Sequence, residues 1–366
     1  MKDVKTLLYL LILSTFLISM MALLASADTG LGTNAKSSAL YNPDTKSFLY
    51  QKNADLKLPM ASTTKIVTAL IAIEALNPNE IIKVPSDAVG VEGSSLYLKE
   101  NDEVSVQDLI YSVLLQSAND AAATLAIRIS GDASKFASRM TERVREIGVY
   151  DTQFQNPHGL DSEGHYTTAH DLSIISAEAL SNETFRKIAS TYKHTFKIGD
   201  ETRTVVNHNK LIKNYDGCIG VKTGYTKKSG RCLVSAAEKG GVTLVAVTLD
   251  DPDDWRDHKN MLDYGFEKLE CVDLNDIITL PDNLPTISSD GAKINIKLNK
   301  NLIVKSKDEE IKYNVDLPSY IARDVKLGDK IGELKIMIDK REENIDIIAD
   351  NSVKIKNTVK RFFNRR

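Results

Sequence analysis

The chain reads Ser62-Thr63-Thr64-Lys65 at the start of an apolar run, Ile66-Val67-Thr68-Ala69-Leu70-Ile71-Ala72-Ile73-Glu74-Ala75-Leu76, which Asn77-Pro78 follows. The run has helical length, contains no glycine and is apolar on nearly every face, so it predicts a buried helix. Ser62 then lies at the helix N-terminus, with Lys65 one turn later on the same face. Burial and the helix dipole both disfavour an ammonium, so Lys65 is a candidate base and Ser62 a candidate nucleophile.

Two further motifs follow in order along the chain. Ser117-Ala118-Asn119 lies between two helical patterns, and Lys222-Thr223-Gly224 lies near the end of a strand pattern that begins at Cys218. A short break between helices can direct Ser117 and Asn119 into a cleft, and Gly224 indicates a close approach of another backbone.

Each motif alone has an ordinary explanation. The three alternatives are a helix cap with a solvent-reaching lysine, a second helix cap and a polar hairpin end. A second Ser-x-x-Lys, Ser190-Thr191-Tyr192-Lys193, illustrates how weak the single pattern is. It lies after the Ser-x-Asn motif and precedes no apolar helix, so order and context favour Ser62.

The periodicity predicts a mixture of helices and antiparallel strands. Apolar residues recur at helical spacing at 62–76, 106–116, 119–130, 134–147, 168–180, 183–190 and 253–269. Strand patterns separated by turns cover 218–249 and predict an antiparallel meander. Residues 271–292 are interpreted as a linker and a first strand, and 292–350 alternate as in a small β-rich domain without a chemical motif.

With all three motifs present in this order, the sequence resembles the low-molecular-weight penicillin-binding proteins, which are serine-type D-alanyl-D-alanine carboxypeptidases. Asn156-Pro157-His158-Gly159-Leu160-Asp161 and His165-Tyr166-Thr167-Thr168-Ala169 extend the similarity. The resemblance implies an α+β fold: a serine β-lactamase/transpeptidase-like domain at 28–270, with an antiparallel sheet, flanking helices and a helical lobe. A β-rich domain at 271–350 and an amphipathic helix at 351–366 would follow it.

The resemblance also implies the role of each site residue. Ser62 would attack the carbonyl of the D-Ala-D-Ala bond while Lys65 accepts its proton, and Ser117, bridged to Lys65 and Lys222, would pass a proton to the leaving D-alanine. The remaining roles are binding roles: Asn119 would hold the peptide amide, Thr223 and Lys222 the terminal carboxylate, and Gly224 would leave room for the backbone N–H groups of Ser62 and Tyr225 in the oxyanion hole. Peptidoglycan pentapeptide is the implied substrate, β-lactams are the implied inhibitors, and no metal or cofactor is expected.

Two positions depart from relatives. His208, within Asn207-His208-Asn209, stands where some relatives carry an arginine that assists carboxylate binding, so we assign it no role. Tyr225 stands where many relatives have a histidine, and a backbone donor tolerates that change.

Three other classes of protein remain as alternatives. A β-lactamase shares the motifs, but the best-known kind adds a Glu-x-x-Leu-Asn element that 163–167 does not contain. A metallopeptidase would need a zinc set, and His158, His165 and His170 have no standard spacing for one. A non-catalytic binding module would be expected to lose Ser62, Lys65 or Lys222, and this chain keeps all three.

Both ends of the chain predict an exported, membrane-associated protein. Residues 1–27 read as a signal peptide, with Lys2 and Lys5, an apolar run and Ala25-Ser26-Ala27; an uncleaved anchor is the alternative. Residues 352–366 contain six Lys/Arg and no acid, with Ile355, Val359, Phe362 and Phe363 on one helical stripe. This pattern predicts binding to an anionic membrane surface, with a docked helix or a basic tail as alternatives.

The net charge and the number of cysteines argue against a nucleic-acid-binding protein and against a disulfide-stabilised fold. A net charge of −3 gives no case for nucleic-acid binding. Three cysteines do not make a disulfide framework in a chain of this length, so we interpret Cys218, Cys232 and Cys271 as buried small hydrophobes.

Overall fold

The structure of the protein is a computed structural model that describes residues 31–356. The predicted signal peptide at 1–27 and the predicted helical stripe beyond residue 356 therefore lie outside the described residues. Within the described part of the chain, no helix has the length and apolar character needed to cross a membrane.

A five-stranded antiparallel sheet in the order β2-β1-β9-β8-β7 forms the centre of the first part of the chain. Its strands and two flanking hairpins are β1 (Ser37–Asn42), β2 (Ser47–Lys52), β3 (Ile81–Lys83), β4 (Glu103–Ser105), β5 (Lys193–Ile198), β6 (Glu201–Val206), β7 (Cys218–Thr226), β8 (Gly230–Lys239) and β9 (Val242–Leu249). The predicted meander at 218–249 is thus confirmed, and β7 is an edge strand.

Both faces of this sheet are covered, so its strands carry apolar side chains on both sides. Cys232, Val234 and Ala236 of β8 pack into the core shared with the helical lobe. Leu233 and Ala237 pack into a second core on the opposite face. The two-residue period of a strand divides the side chains between these cores.

The helices agree closely with the predicted spans. They are α1 (Lys65–Ala75), α2 (Val106–Tyr111), α3 (Asn119–Ser130), α4 (Ala133–Ile147), α5 (Ala169–Ser181), α6 (Glu183–Ala189), α7 (Leu211–Asn214) and α8 (Asp254–Lys268). A 3₁₀ turn, Ala61–Thr64, precedes α1, whose first eight residues are all buried. The predicted helix at 106–116 is a short α-helix that continues into a π-helical turn, Ser112–Gln116.

The final part of the described chain is β-rich. It contains β10 (Leu269–Asp273), β11 (Asn283–Pro285), β12 (Lys293–Leu298), β13 (Leu302–Ser306), β14 (Ile311–Asp316), β15 (Lys330–Ile338) and β16 (Arg341–Ala349). Five of them form a sheet in the order β11-β12-β16-β15-β14, while β10 pairs with β13.

The predicted linker at 271–292 begins inside a strand rather than after it. β10 starts at Leu269 and runs across the predicted boundary at 270/271. Leu269 of β10 and Val304 of β13 are buried in the same core as Leu244 and Met261, so this strand pair packs against the central sheet. The first part of the chain and the β-rich part are therefore in apolar contact, and are not separated at this point by a polar linker.

The predicted helix at 351–366 is wrong for its described residues, 351–356. Val353 forms a bridge with Val325, Ile355 N–H donates to Asp324 at 2.7 Å, and Lys356 N–H donates to Ser288 Oγ at 3.0 Å. These backbone groups bond to neighbouring loops of the β-rich part, so the segment is extended.

The interpretation of the cysteines holds for one of three. Cys232 is buried, whereas Cys218 and Cys271 are only half-buried, and all three are free thiols. Cys232 lies opposite Gly224 and Cys218 lies opposite Ala237, so the two strand cysteines do not face each other.

Candidate active site

The turn at Ala61–Thr64 places Ser62 at the mouth of a cleft. Ser62 lies next to the buried Lys65, whose Nζ is 3.0 Å from Ser62 Oγ. The predicted pairing of serine and lysine across one helical turn is therefore present.

Lys65 is fully buried and has two further partners. Its Nζ donates to Asn119 Oδ1 at 2.6 Å and to the carbonyl oxygen of His158 at 2.5 Å. Burial, followed by repulsion from Lys222, holds the pKa of Lys65 well below its ordinary value, and the more distant Asp120 opposes this. The side chain is thus held as a candidate base.

Ser117 follows the π-helical turn and has a left-handed backbone, with φ of 65°. Its side chain lines the cleft together with Ser62. Among the described residues no hydrogen bond joins Ser117 to Lys65 or Lys222, so the implied bridge is not formed. The partners of Lys65 are Ser62, Asn119 and His158, and Lys222 Nζ donates to the carbonyl oxygen of Thr223 at 3.0 Å.

Asn119 is the first residue of α3 and reaches the site from the helical lobe. Its Oδ1 accepts from Lys65 Nζ, and its Nδ2 donates to the carbonyl oxygen of Glu92. An amide has two lone pairs and two N–H groups, so one of each remains for a ligand.

β7 supplies the opposite wall of the cleft. Lys222 is 1% exposed, and burial lowers its pKa to about 7. Thr223, Gly224 and Tyr225 line the cleft beside it, with Tyr225 largely exposed.

Gly224 confirms the predicted close approach. A Cβ at this position would lie 2.9 Å from Ser62 N and 3.1 Å from the Met60 carbonyl oxygen. The sheet edge and the nucleophile turn therefore touch, backbone to backbone, only because residue 224 has no side chain.

His208 reaches the cleft because the residues on either side of it are anchored. Asn207 Nδ2 donates to the carbonyl oxygens of Ala189 and Thr191, and Asn209 Nδ2 donates to that of Gly220. Burial and, to a lesser extent, Lys222 lower the pKa of His208, so its imidazole is neutral at neutral pH.

Besides Ser94 and Cys232, four further residues of the cleft were not predicted as site residues. The cleft has a volume of about 340 Å³ and is also lined by Lys210, Arg231, Asp254 and Trp255. Arg231 donates to both carboxylate oxygens of the buried Asp254, at 2.7 and 2.9 Å, and its guanidinium lies 5.8 Å from the Trp255 ring. These residues come from separate elements, and no short sequence pattern connects them.

Asp120 was also missed, although it lies directly after Asn119. It is fully buried and accepts hydrogen bonds from Ser95 Oγ at 2.6 Å, Leu96 N–H at 3.1 Å and Leu98 N–H at 3.0 Å. Its carboxylate thereby fixes the loop that carries Ser94 to the rim of the cleft. An acidic residue in the first turn of a helix was the available signal.

The loop histidines do not form a metal site. His165 bonds to Thr64 and His170 to Asp171, while His158 contributes a carbonyl oxygen to Lys65. The described residues, 31–356, contain no cluster of three or more His, Cys, Asp or Glu that could hold a metal ion.

Comparisons with known proteins agree with this geometry. Residues 24–253 match the model of the peptidase S11 family, described as D-alanyl-D-alanine carboxypeptidase. D-alanyl-D-alanine carboxypeptidase DacF of Bacillus subtilis is 31% identical over 354 residues, covering 90% of this chain and 87% of the relative.

Solved structures of relatives share the fold. The crystal structure of the carboxypeptidase DacD from Francisella tularensis superposes with a TM-score of 0.65 at 25% identity, covering 89% of this chain and 95% of that one. The Streptomyces K15 DD-transpeptidase superposes with a TM-score of 0.61 at 30% identity, covering 64% of this chain and 98% of that one. With the Ser-x-x-Lys, Ser-x-Asn and Lys-Thr-Gly residues arranged around one cleft, the chain belongs to the peptidase S11 family of D-alanyl-D-alanine carboxypeptidases.

Proposed function

We propose that Ser62 is the nucleophile, and Lys65 its general base, of a serine-type D-Ala-D-Ala carboxypeptidase. The observation that carries the proposal is the set of partners around Lys65 Nζ. A neutral amine has two N–H groups and one lone pair. The oxygens of Asn119 and His158 accept the two N–H groups, which directs the lone pair at Ser62 Oγ.

The family's reaction then proceeds by acyl transfer. Ser62 Oγ attacks the carbonyl carbon between the two D-alanines, and its proton moves to Lys65 Nζ. The tetrahedral oxyanion is stabilised by the backbone N–H groups of Ser62 and Tyr225. The C–N bond breaks as Ser117 Oγ–H protonates the leaving amine and takes in exchange the proton that Lys65 had accepted, and water then hydrolyses the Ser62 ester. Penicillin acylates the same oxygen and leaves it blocked.

Substrate recognition uses the free edge of β7. An extended peptide can pair with this edge, since β7 has a neighbour on one side only. Thr223 and Lys222 bind the terminal carboxylate, and Asn119 uses its remaining N–H on the peptide. Because His208 is neutral and Arg231 is paired with Asp254, Lys210 supplies the additional positive charge at this end of the cleft.

Mass spectrometry after incubation with penicillin tests the assignment. We expect one acyl adduct, on Ser62, and none in Ser62→Ala. Lys65→Ala should lose nearly all acylation while still binding substrate. An adduct on another residue, or no adduct in the folded protein, would contradict the assignment of Ser62 as the nucleophile.

The protein is further proposed to work outside the cytoplasmic membrane, facing the cell wall. Residues 1–27 would direct export, and the catalytic domain would extend from 28 to 268, ending before β10. The β-rich domain would act as a spacer toward the wall, and the basic C-terminal residues would bind anionic lipid.

A further inference from the structure

The nucleophile turn has a strained backbone. Ala61 is buried and has a φ of 46°, in the left-handed region that costs a non-glycine residue roughly 1–2 kcal/mol. Such a conformation persists only where the surroundings hold it. The residues that hold Ala61 therefore also set the direction of the next residue, Ser62.

The loop at 153–167 packs against this turn. Gly159 lies so close that a Cβ there would stand 2.0 Å from the carbonyl oxygen of Ala61. The same loop accepts a hydrogen bond from Thr68 Oγ at the Pro157 carbonyl, at 2.6 Å, and one from Lys65 at the His158 carbonyl.

His165 connects the loop to the turn through Thr64. Thr64 Oγ1 donates to the carbonyl oxygen of Ala61 at 2.8 Å, and it lies 2.8 Å from His165 Nε2. A hydroxyl has one proton, and the carbonyl takes it, so Nε2 must be the donor to Thr64. On the other side of the ring, Gln155 N–H donates to Nδ1 at 3.0 Å, which requires an unprotonated Nδ1.

We propose that His165 is a positioning residue for the acyl-transfer step: its neutral Nε2–H tautomer holds Thr64, and through Thr64 the strained Ala61 carbonyl, so that Ser62 Oγ and the Ser62 N–H point into the cleft. The ring is 6% exposed and packs edge-on against Phe154, so it has little freedom to turn. Burial also lowers the pKa of His165 to about 4; Asp161 opposes the shift and Lys65 adds to it, and the neutral His158 lies nearby.

Acylation kinetics with a fluorescent penicillin test the proposal, which rests on Ser62 being the nucleophile. His165→Leu removes both hydrogen bonds and should lower the acylation rate constant about tenfold to hundredfold, with the initial binding constant changed less than threefold. His165→Gln offers an amide N–H for Thr64 and an oxygen for Gln155, and should restore most of that rate.

His258→Leu is the matched control. His258 is a buried imidazole that also bonds to two hydroxyls, Ser235 Oγ and Thr248 Oγ1, but it does not touch the nucleophile turn. This variant should lose thermal stability and keep the acylation rate of its folded fraction. Equal slowing in both leucine variants, or no rescue by His165→Gln, would overturn the positioning role.

A measurement on the unaltered protein keeps the test independent of variant folding. Nitrogen-15 NMR of the imidazoles should show His165 with a protonated Nε2 and an unprotonated Nδ1 between pH 6 and 8. The opposite tautomer would overturn the proposal. The acyl adduct on Ser62 in the same protein is a separate readout, so failure of the proposed nucleophile and failure of the His165 role give different results.

Discussion

Two buried lysines with depressed pKa values dominate the chemistry at the level of single residues. Burial and then repulsion from Lys222 hold the pKa of Lys65 well below its ordinary value, while burial lowers the pKa of Lys222 to about 7. At neutral pH the cleft can therefore hold a neutral base at Ser62 and a lysine that gains a proton when an anion arrives.

This pairing predicts the pH dependence of kcat/KM. A substrate carboxylate binds the protonated form of Lys222, so kcat/KM should fall as the pH rises above about 7, by up to about tenfold per unit. At low pH, kcat/KM should fall again as Lys65 becomes protonated. The measurement is initial-rate hydrolysis of a D-Ala-D-Ala peptide from pH 5 to 10.

A D-Ala-D-Ala peptide with a terminal carboxamide provides the control ligand. Its inhibition constant should not weaken between pH 7 and 9, since it has no carboxylate for Lys222. An alkaline limb of the same steepness for both ligands would contradict the assignment of Lys222.

Ser62, Lys65 and the other motif residues could be predicted from sequence, because each motif consists of residues close together in the chain. Their roles follow from side chains that lie close together in the chain or on a strand with a recognisable end. Lys210, Arg231 and Trp255 were missed because folding brings them together from an α7 turn, a strand and a distant helix. His165 was not predicted as a site residue, because its partner Thr64 is 101 positions away.

At the level of elements, the first turn of α3 organises the rim of the cleft through Asp120. Asp120→Asn keeps the volume but removes the charge that accepts hydrogen bonds from Ser95, Leu96 and Leu98. We expect a loss of about 2–3 kcal/mol in the free energy of unfolding, together with slower acylation, because the loop at 94–98 loosens. Urea unfolding and penicillin acylation measure the two effects.

Asp87→Asn is the matched comparison, because Asp87 is an exposed carboxylate in the first part of the chain. Its effect should stay within about 0.5 kcal/mol, as is usual for surface substitutions. If both variants lose the same stability, the buried carboxylate is not what holds the loop.

Helices and strands were predicted correctly where the apolar periodicity extends over many residues. The prediction failed where contacts with distant parts of the chain determine the backbone conformation. The predicted helices at 119–130 and 134–147 differ by at most one residue from α3 and α4. The π-helical turn at Ser112–Gln116 has no signal in the apolar pattern, and it is what leaves Ser117 with a left-handed backbone. The basic stripe at 352–366 suggested a helix, yet its described start is extended because loops of the β-rich part bind its backbone.

At the level of the whole molecule, the strand pair β10–β13 is the contact between the sheet that carries Lys222 and the β-rich part. A chain ending near residue 275 loses β13 and uncovers Leu269, which should cost about 2 kcal/mol of stability. Its folded fraction should hydrolyse soluble peptides normally, since none of the described residues beyond Trp255 lines the cleft. Thermal unfolding and peptide hydrolysis test this; a large loss of kcat in the folded fraction would contradict the spacer role.

A shorter deletion separates lipid binding from stability. A chain ending at Lys356 keeps every described residue but loses Lys360, Arg361, Arg365 and Arg366. Co-sedimentation with phosphatidylglycerol vesicles should weaken at least tenfold, because each such cation contributes about 1 kcal/mol at an anionic surface. The melting temperature should not change. Unaltered sedimentation would place the lipid-binding residues elsewhere.

The contact at Gly224 limits how this enzyme can escape its inhibitors. Any side chain at 224 presses on Ser62 N and on the Met60 carbonyl, so a change that excludes a β-lactam there also displaces the nucleophile that the natural peptide needs. A substitution at residue 224 is therefore a poor route to drug resistance, because it carries the same penalty for turnover of the natural peptide.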